Sequence, residues 1–326
     1  MAEETYQFFK LIEKMSAREV YGKKLAEIGK SNDRIVVLTA DLMRTNKTSD
    51  FFKVCPERFF NTGVAEQNMM GIAAGLALEG KMPFVSTMAT FATMRACEQV
   101  RTDICYPNLP VRIVATHGGL TTGAGPTHYG QEDMAIARSM PNMTVIAPGD
   151  PNQIGKVIEA SLDWKGPMYI RIGRGGEPLV YHEEYKYEIG KSITVKQGKD
   201  VTIIATGAIL FYAIAAGERL SKDGIEARVI DMHTIKPIDR EVVVKAVKET
   251  GVIVTGEDHN IIGGLGTAVA EVIASEGVCG KFRRLGIPDV FGVIGSPEEL
   301  YHKYGYDADG IYSTVKTMLN PRKEVA

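Results

Sequence analysis

The chain has 326 residues, enough for two ordinary domains, each with its own core. Hydrophobic residues make up 44 %, charged residues 24 %, and the formal net charge is −2, so it reads as a soluble globular protein without a nucleic-acid stripe or a membrane patch. Apolar runs are interrupted well short of a membrane span, and the acidic start Met1-Ala2-Glu3-Glu4 has no signal-peptide pattern, so a cytoplasmic setting is expected.

A helix is predicted over roughly Thr5 to Ile28, then a buried strand at Ile35-Val36-Val37-Leu38. Arg58-Phe59-Phe60-Asn61-Thr62 reads as a short strand, and Met69 to Leu78 as a buried helix rich in Ala and Gly. Glu66 stands between them, at the end of a strand and the mouth of a helix, where open α/β sheets bind ligands. A carboxylate there must be solvated, paired or protonated, because a bare buried charge is too costly. The competing reading is structural: the helix dipole favours an acid there, and Gly63 and Glu66 have capping-box spacing.

Next come the strand Pro83-Phe84-Val85-Ser86, a helix from about Thr93 to Ile104, and the strand Val111 to Ala115. A Gly-rich loop, Gly118 to Gly130, follows, with His117 before it and His128 within it. Val145-Ile146, a helix after Asp150 and the strand Met168-Tyr169-Ile170 complete a first unit. Short apolar strands between helices argue a mainly parallel sheet covered on both faces. From Glu177 to Asp200 the chain turns polar and reads as a linker with one hairpin at most. The boundary is placed near Gly190, giving domains 1–190 and 191–326, each a three-layer α/β/α unit. In the second, strands at Val201–Ile204, Ala227–Ile230, Val252–Val254 and near Arg284-Leu285 alternate with helices near Ala213–Leu220, Asp239–Lys248 and Leu265–Ala274.

Cys55, Cys97, Cys105 and Cys279 form no Cys-x-x-Cys pair, so reduced core residues are expected rather than metal ligands or a disulfide scaffold. Gly263-Gly264-Leu265-Gly266 matches a dinucleotide fingerprint poorly, since Val269 takes the third glycine's place.

Gly63-Val64-Ala65-Glu66-Gln67 resembles the signature of the pyrimidine-binding domain of transketolase-like thiamine diphosphate enzymes. The resemblance implies that Glu66 hydrogen-bonds the cofactor's aminopyrimidine and is catalytic. Ser86-Thr87-Met88-Ala89-Thr90-Phe91 is similar to the family's Ser-Thr-Phe-x-x-Phe, with Met88 in place of the first aromatic. Phe91 is then implied to stack on the pyrimidine, with Met94 also at the cofactor. Leu38-Thr39-Ala40-Asp41-Leu42 resembles the word Ser-Ala-Asp-Leu, which puts Asp41 near the cofactor and Thr45 at a substrate-contacting position.

Gly125-Pro126-Thr127-His128 is a word shared with transketolases and deoxyxylulose-phosphate synthases. It implies that His128 contacts the ketose donor as a catalytic group. His117 is implied to contact sugar hydroxyls or phosphate; the synthases carry Arg there. Ala124 departs from the family, standing where transketolases have an Asp that reads a sugar hydroxyl, which leaves the exact sugar open. Ser16-Ala17-Arg18 resembles Ala-Thr-Arg, and Arg174 aligns best with a strand-end Arg, so both are implied to hold the substrate phosphate. The words Asp231 to Asp239 and Glu257 to Gly264 resemble the family's C-terminal domain and are given no catalytic role.

The resemblance runs from about Arg18 to Thr317 and covers the second half of a full transketolase. The Gly-Asp-Gly motif with its later Asn, which gathers Mg²⁺ around the diphosphate, is not found. Gly149-Asp150-Pro151 lacks the second Gly, and Asp307-Ala308-Asp309-Gly310 has no matching Asn. The expectation is the C-terminal subunit of a split transketolase. An N-terminal partner subunit would bring the diphosphate and Mg²⁺ sites, in a heterotetramer acting on sugar phosphates. The rivals are a β subunit of a 2-oxoacid dehydrogenase, a deoxyxylulose-phosphate synthase, and a non-catalytic subunit.

Overall fold

The computed structural model describes residues 14–181 and 184–320. Among these the strands of the first half are β1 (Lys14–Met15), β2 (Ile35–Thr39), β3 (Phe59–Asn61), β4 (Met82–Met88), β5 (Arg112–Thr116), β6 (Thr144–Ile146), β7 (Met168–Arg171) and β8 (Glu177–Pro178). Those of the second half are β9 (Ile193–Lys196), β10 (Val201–Ala205), β11 (Ala227–Asp231), β12 (Thr234–Lys236), β13 (Val252–Asn260) and β14 (Lys281–Ile287).

The larger sheet has the order β12-β6-β7-β5-β4-β2-β3 and is parallel except for β12, which runs antiparallel to β6. Every residue of β2 is buried, because helices cover both faces. Alternation along the strand sorts its side chains between two cores. Val36 and Leu38 join Met69, Met70 and Ala73 on one side, and Ile35 and Val37 join Tyr21, Leu25 and Phe51 on the other. The second sheet, β14-β13-β10-β11-β9, is parallel except for β9. It too is covered twice, by Leu210, Leu220 and Ile311 on one face and Val243, Val247 and Val269 on the other.

Several expectations need correction. Of the helix expected from Thr5, residues 5–13 lie outside the described residues, and Lys14–Met15 is a strand paired with Glu177–Pro178. The helix runs from Ala17 to Ser31, because the Ser16 hydroxyl accepts the Glu19 N–H and caps it. Among the described residues the polar stretch after Glu177 forms no hairpin: β8 pairs back to β1, and β9 becomes the antiparallel edge of the second sheet. The segment expected as one helix from Thr93 to Ile104 begins at Phe91 and has two π-helical stretches, Phe91–Arg95 and Val100–Cys105. β12 was not anticipated; it carries the second half's chain across to the edge of the first sheet. The helices Pro297–Tyr304 and Ala308–Leu319 were also not anticipated, although Ser296 and Asp307 are N-caps.

Arg112 ties the first unit together. It is fully buried, and its guanidinium donates to the carbonyls of Ser161, Trp164 and Gly166 at 2.6–2.9 Å. Burial lowers its pKa to about 10, still charged at neutral pH. Among the described residues no helix is long and apolar enough to cross a membrane.

Candidate active site

The sequence-predicted residues fall at the carboxyl ends of the parallel strands. Asp41 and Thr45 follow β2, Glu66 follows β3, Phe91 and Met94 follow β4, His117 and His128 follow β5, and Arg174 follows β7. The chain leaves β2 for β3 on one side, then returns to β4 on the other. Such a reversal is where open α/β sheets place ligands.

Glu66 opens the helix Glu66–Leu78 and is 1 % exposed. The capping-box reading fails: Ala65 is the N-cap, and no side chain caps the helix. The Glu66 carboxylate turns instead to Thr87 Oγ1, which donates to Oε1 at 3.3 Å, and to Arg95 Nη1, which donates to Oε2 at 2.7 Å. The Arg95 guanidinium lies over the Phe91 ring, 4.1 Å from its centroid, and the Phe91 ring meets the His128 imidazole edge-on at 5.2 Å. Glu66, Phe91 and His128 are thus linked through a residue that was not singled out in the sequence. The signal was present: Arg95 lies four residues after Phe91, which puts both on one helix face. Starting the helix at Thr93 hid it.

A second cluster forms around His117, which is 3 % exposed and holds a left-handed φ of 60°. Its Nδ1 lies 2.8 Å from Thr116 Oγ1, which donates to Asn46 Oδ1 at 2.9 Å. That hydroxyl has one proton, so with it committed to Asn46 the Thr116 oxygen accepts from His117 Nδ1–H, and Nε2 is left as an acceptor. Burial first, then the charges of Arg18, Arg174 and His128, lower the His117 pKa to about 4. Arg18 Nη1 donates to the Thr45 carbonyl at 2.6 Å, and among the described residues its buried Nε has no partner. Arg174 is exposed, with its guanidinium packed against the Gly-rich loop beside Gly123. Burial lowers the Arg18 pKa, and the Glu177 carboxylate opposes this. Two guanidiniums beside a neutral imidazole suit an anionic group with neighbouring hydroxyls.

Some predicted residues stand apart. Asp41, at a left-handed φ of 59°, exchanges hydrogen bonds with Asn61, its N–H donating to Oδ1 at 2.9 Å. Met94 is 51 % exposed on the Phe91–Arg95 stretch, and Ala124 is exposed in the loop.

The second unit holds the Gly-rich loop. The buried Asp258 carboxylate accepts from Leu120 N–H at 3.2 Å and from the hydroxyls of Tyr301 and Tyr306 at 2.8 and 3.1 Å. Gly119, at φ 66°, is required here, because a Cβ would sit 1.9 Å from Asp258 Oδ2. Arg171, three residues before Arg174, is spent structurally, donating to Asp133 Oδ2 and to the carbonyls of Gly130 and Asp258. The weak dinucleotide motif is also resolved. Glu257 takes the Leu265 and Gly266 N–H groups at 2.6 and 2.8 Å, filling the helix N-terminus where a phosphate would bind. The four cysteines are free thiols. Asp307 and Asp309 are engaged by Gly310 N–H, His302 and Arg219.

The fold is a pair of mostly parallel α/β units, the first with a buried acid, an aromatic ring and arginines near its strand ends. The chain matches the family "Transketolase, pyrimidine binding domain" over residues 13–176 and "Transketolase, C-terminal domain" over residues 190–311. It is 50 % identical to a provisionally named transketolase C-terminal section of Methanocaldococcus jannaschii, covering 90 % of this chain and 93 % of that protein. It is 39 % identical to one of the subunits of the apulose-4-phosphate transketolase of Phocaeicola vulgatus, over 92 % of this chain and 96 % of that one. A split-gene transketolase, solved as an inactive β4 tetramer, superposes with a TM-score of 0.86 at 46 % identity, over 94 % of this chain and 99 % of that one. The chain belongs to the transketolase family and carries its pyrimidine-binding and C-terminal domains.

Proposed function

We propose that the chain is the C-terminal subunit of a cytoplasmic, heteromeric transketolase that moves a two-carbon ketol unit from a ketose phosphate to an aldose phosphate. Domains 1–190 and 191–326 are its two units. The observation that carries this reading is the chain of contacts Glu66–Arg95–Phe91–His128 at the strand ends, with His117 near enough to His128, Arg18 and Arg174 to feel their charges.

The residues present fit the pyrimidine end of thiamine diphosphate. A planar donor cation, the Arg95 guanidinium, already bridges the carboxylate and the aromatic face that such a ring would use. When bound, the cofactor supplies a carbon nucleophile. Glu66 holds or shares a proton with the ring and Phe91 stacks on it; Asp41 and Met94, which the resemblance puts near the cofactor, stand apart from this pair in the free chain. His128, against the Phe91 edge, contacts the donor sugar. His117 accepts a substrate hydroxyl at Nε2, while Arg18 and Arg174 take the phosphate and Thr45 lies beside them. Two histidines with two arginines favour a sugar phosphate over a small 2-oxoacid. The diphosphate and Mg²⁺ belong to an N-terminal partner subunit in a heterotetramer. A related split-gene protein is an inactive β4 tetramer, so this chain alone is expected to be inactive.

Ala124 leaves the sugar open, and one relative is named for apulose 4-phosphate. Replacing Glu66 by Gln in the assembled enzyme should lower turnover at least ~100-fold while the fold stays intact. Unchanged turnover would refute the role given to Glu66.

A further inference from the structure

We propose that Arg95 is a resident stand-in for the cofactor's aminopyrimidine, and that its guanidinium must swing off Phe91 before that ring can bind. This rests on the reading of Glu66 and Phe91 as the pyrimidine site.

Arg95 and a bound aminopyrimidine match in their contacts. An aminopyrimidine bound here would make two: a hydrogen bond with the buried carboxylate and a stack on the aromatic face. Arg95 makes both, at 2.7 Å to Glu66 Oε2 and 4.1 Å from the Phe91 centroid. A guanidinium suits this part because it is planar, a donor and able to stack on a ring face. The π-helical stretch Phe91–Arg95 produces the overlap: its wider turn lays the fourth residue onward almost above the first. The two partners differ in freedom. The Glu66 side chain is 1 % exposed and that of Arg95 is 42 % exposed. The carboxylate is fixed, further held by Thr87, while the guanidinium has solvent to move into. In the free chain Arg95 therefore spares Glu66 from standing as an unpaired buried charge. The ring replaces it by exchange, and only the fraction of molecules with Arg95 swung out is competent to bind.

The test uses the full-length chain alone and the pyrimidine fragment 4-amino-5-hydroxymethyl-2-methylpyrimidine, titrated calorimetrically into wild type, Arg95→Met and Glu66→Gln. The expected result is that Arg95→Met binds the fragment about fivefold more tightly than wild type, as a largely closed population requires. Methylguanidinium should compete with the fragment in Arg95→Met, by refilling the vacated place. If Arg95→Met does not fold, Arg95→Lys replaces it; its ammonium pairs with Glu66 but cannot stack, and it should also bind more tightly than wild type. Equal or weaker binding in the variant, abolished by Glu66→Gln, overturns the stand-in and leaves the site reading in place. No binding to any form of the chain overturns both.

Discussion

A neutral imidazole at His117 is the residue-scale feature on which the proposed substrate recognition turns. Buried and flanked by Arg18, Arg174 and His128, it has a pKa lowered to about 4. An NMR titration of histidine-labelled protein should give His117 a midpoint near 4, with Nδ1 protonated above it; a midpoint near 6.5 would contradict the account. The sign of the linked stability follows. The unfolded chain binds this proton more tightly than the folded one, so the contribution of His117 is complete above about pH 6.5 and is lost as pH falls toward 4. The sequence showed His117 itself, through the loop word it precedes. Asn46 and Thr116, which set its tautomer, were not legible, because a buried hydrogen-bond relay between residues 70 positions apart leaves no local pattern. Arg95 was missed for a different reason, a helix start placed two residues late.

At the scale of elements, the central parallel strands such as β2 and β10 were legible as unbroken apolar runs, since strands buried on both faces need them, whereas β9 lay hidden in the polar stretch read as a linker. The short pieces were not. β12 has three residues and β8 two, and each exists only because a distant partner strand is there to pair with it. The Gly-rich loop shows the same dependence on distant partners. Its glycines were evident in sequence, but its anchor is Asp258, from the opposite unit. Burial raises the Asp258 pKa, against which Arg171, the two tyrosine hydroxyls and the Leu120 N–H pull it down. Replacing Asp258 by Ala would orphan those donors, so we expect a loss of about 3 kcal/mol or more in chemical denaturation. A loss below about 1 kcal/mol, the net worth of one ordinary hydrogen bond, would show that the loop does not depend on this anchor.

Over the whole molecule, the two units divide the work. The first presents the acid, the aromatic face and the cations at its strand ends, and the second clamps the loop that carries His128. Glu257 and Asp258, in the second unit's motifs, have their carboxylates consumed by N–H and hydroxyl donors. The central claim is that this chain supplies half of a shared ketol-transfer site. The most direct measurement is ketol transfer from xylulose 5-phosphate to ribose 5-phosphate, with thiamine diphosphate and Mg²⁺, for the chain alone and mixed with an N-terminal transketolase subunit. Activity is expected in the mixture only. Turnover by the lone chain would contradict the claim, as would a stable, cofactor-loaded mixture that transfers no ketol unit from this or any other ketose phosphate.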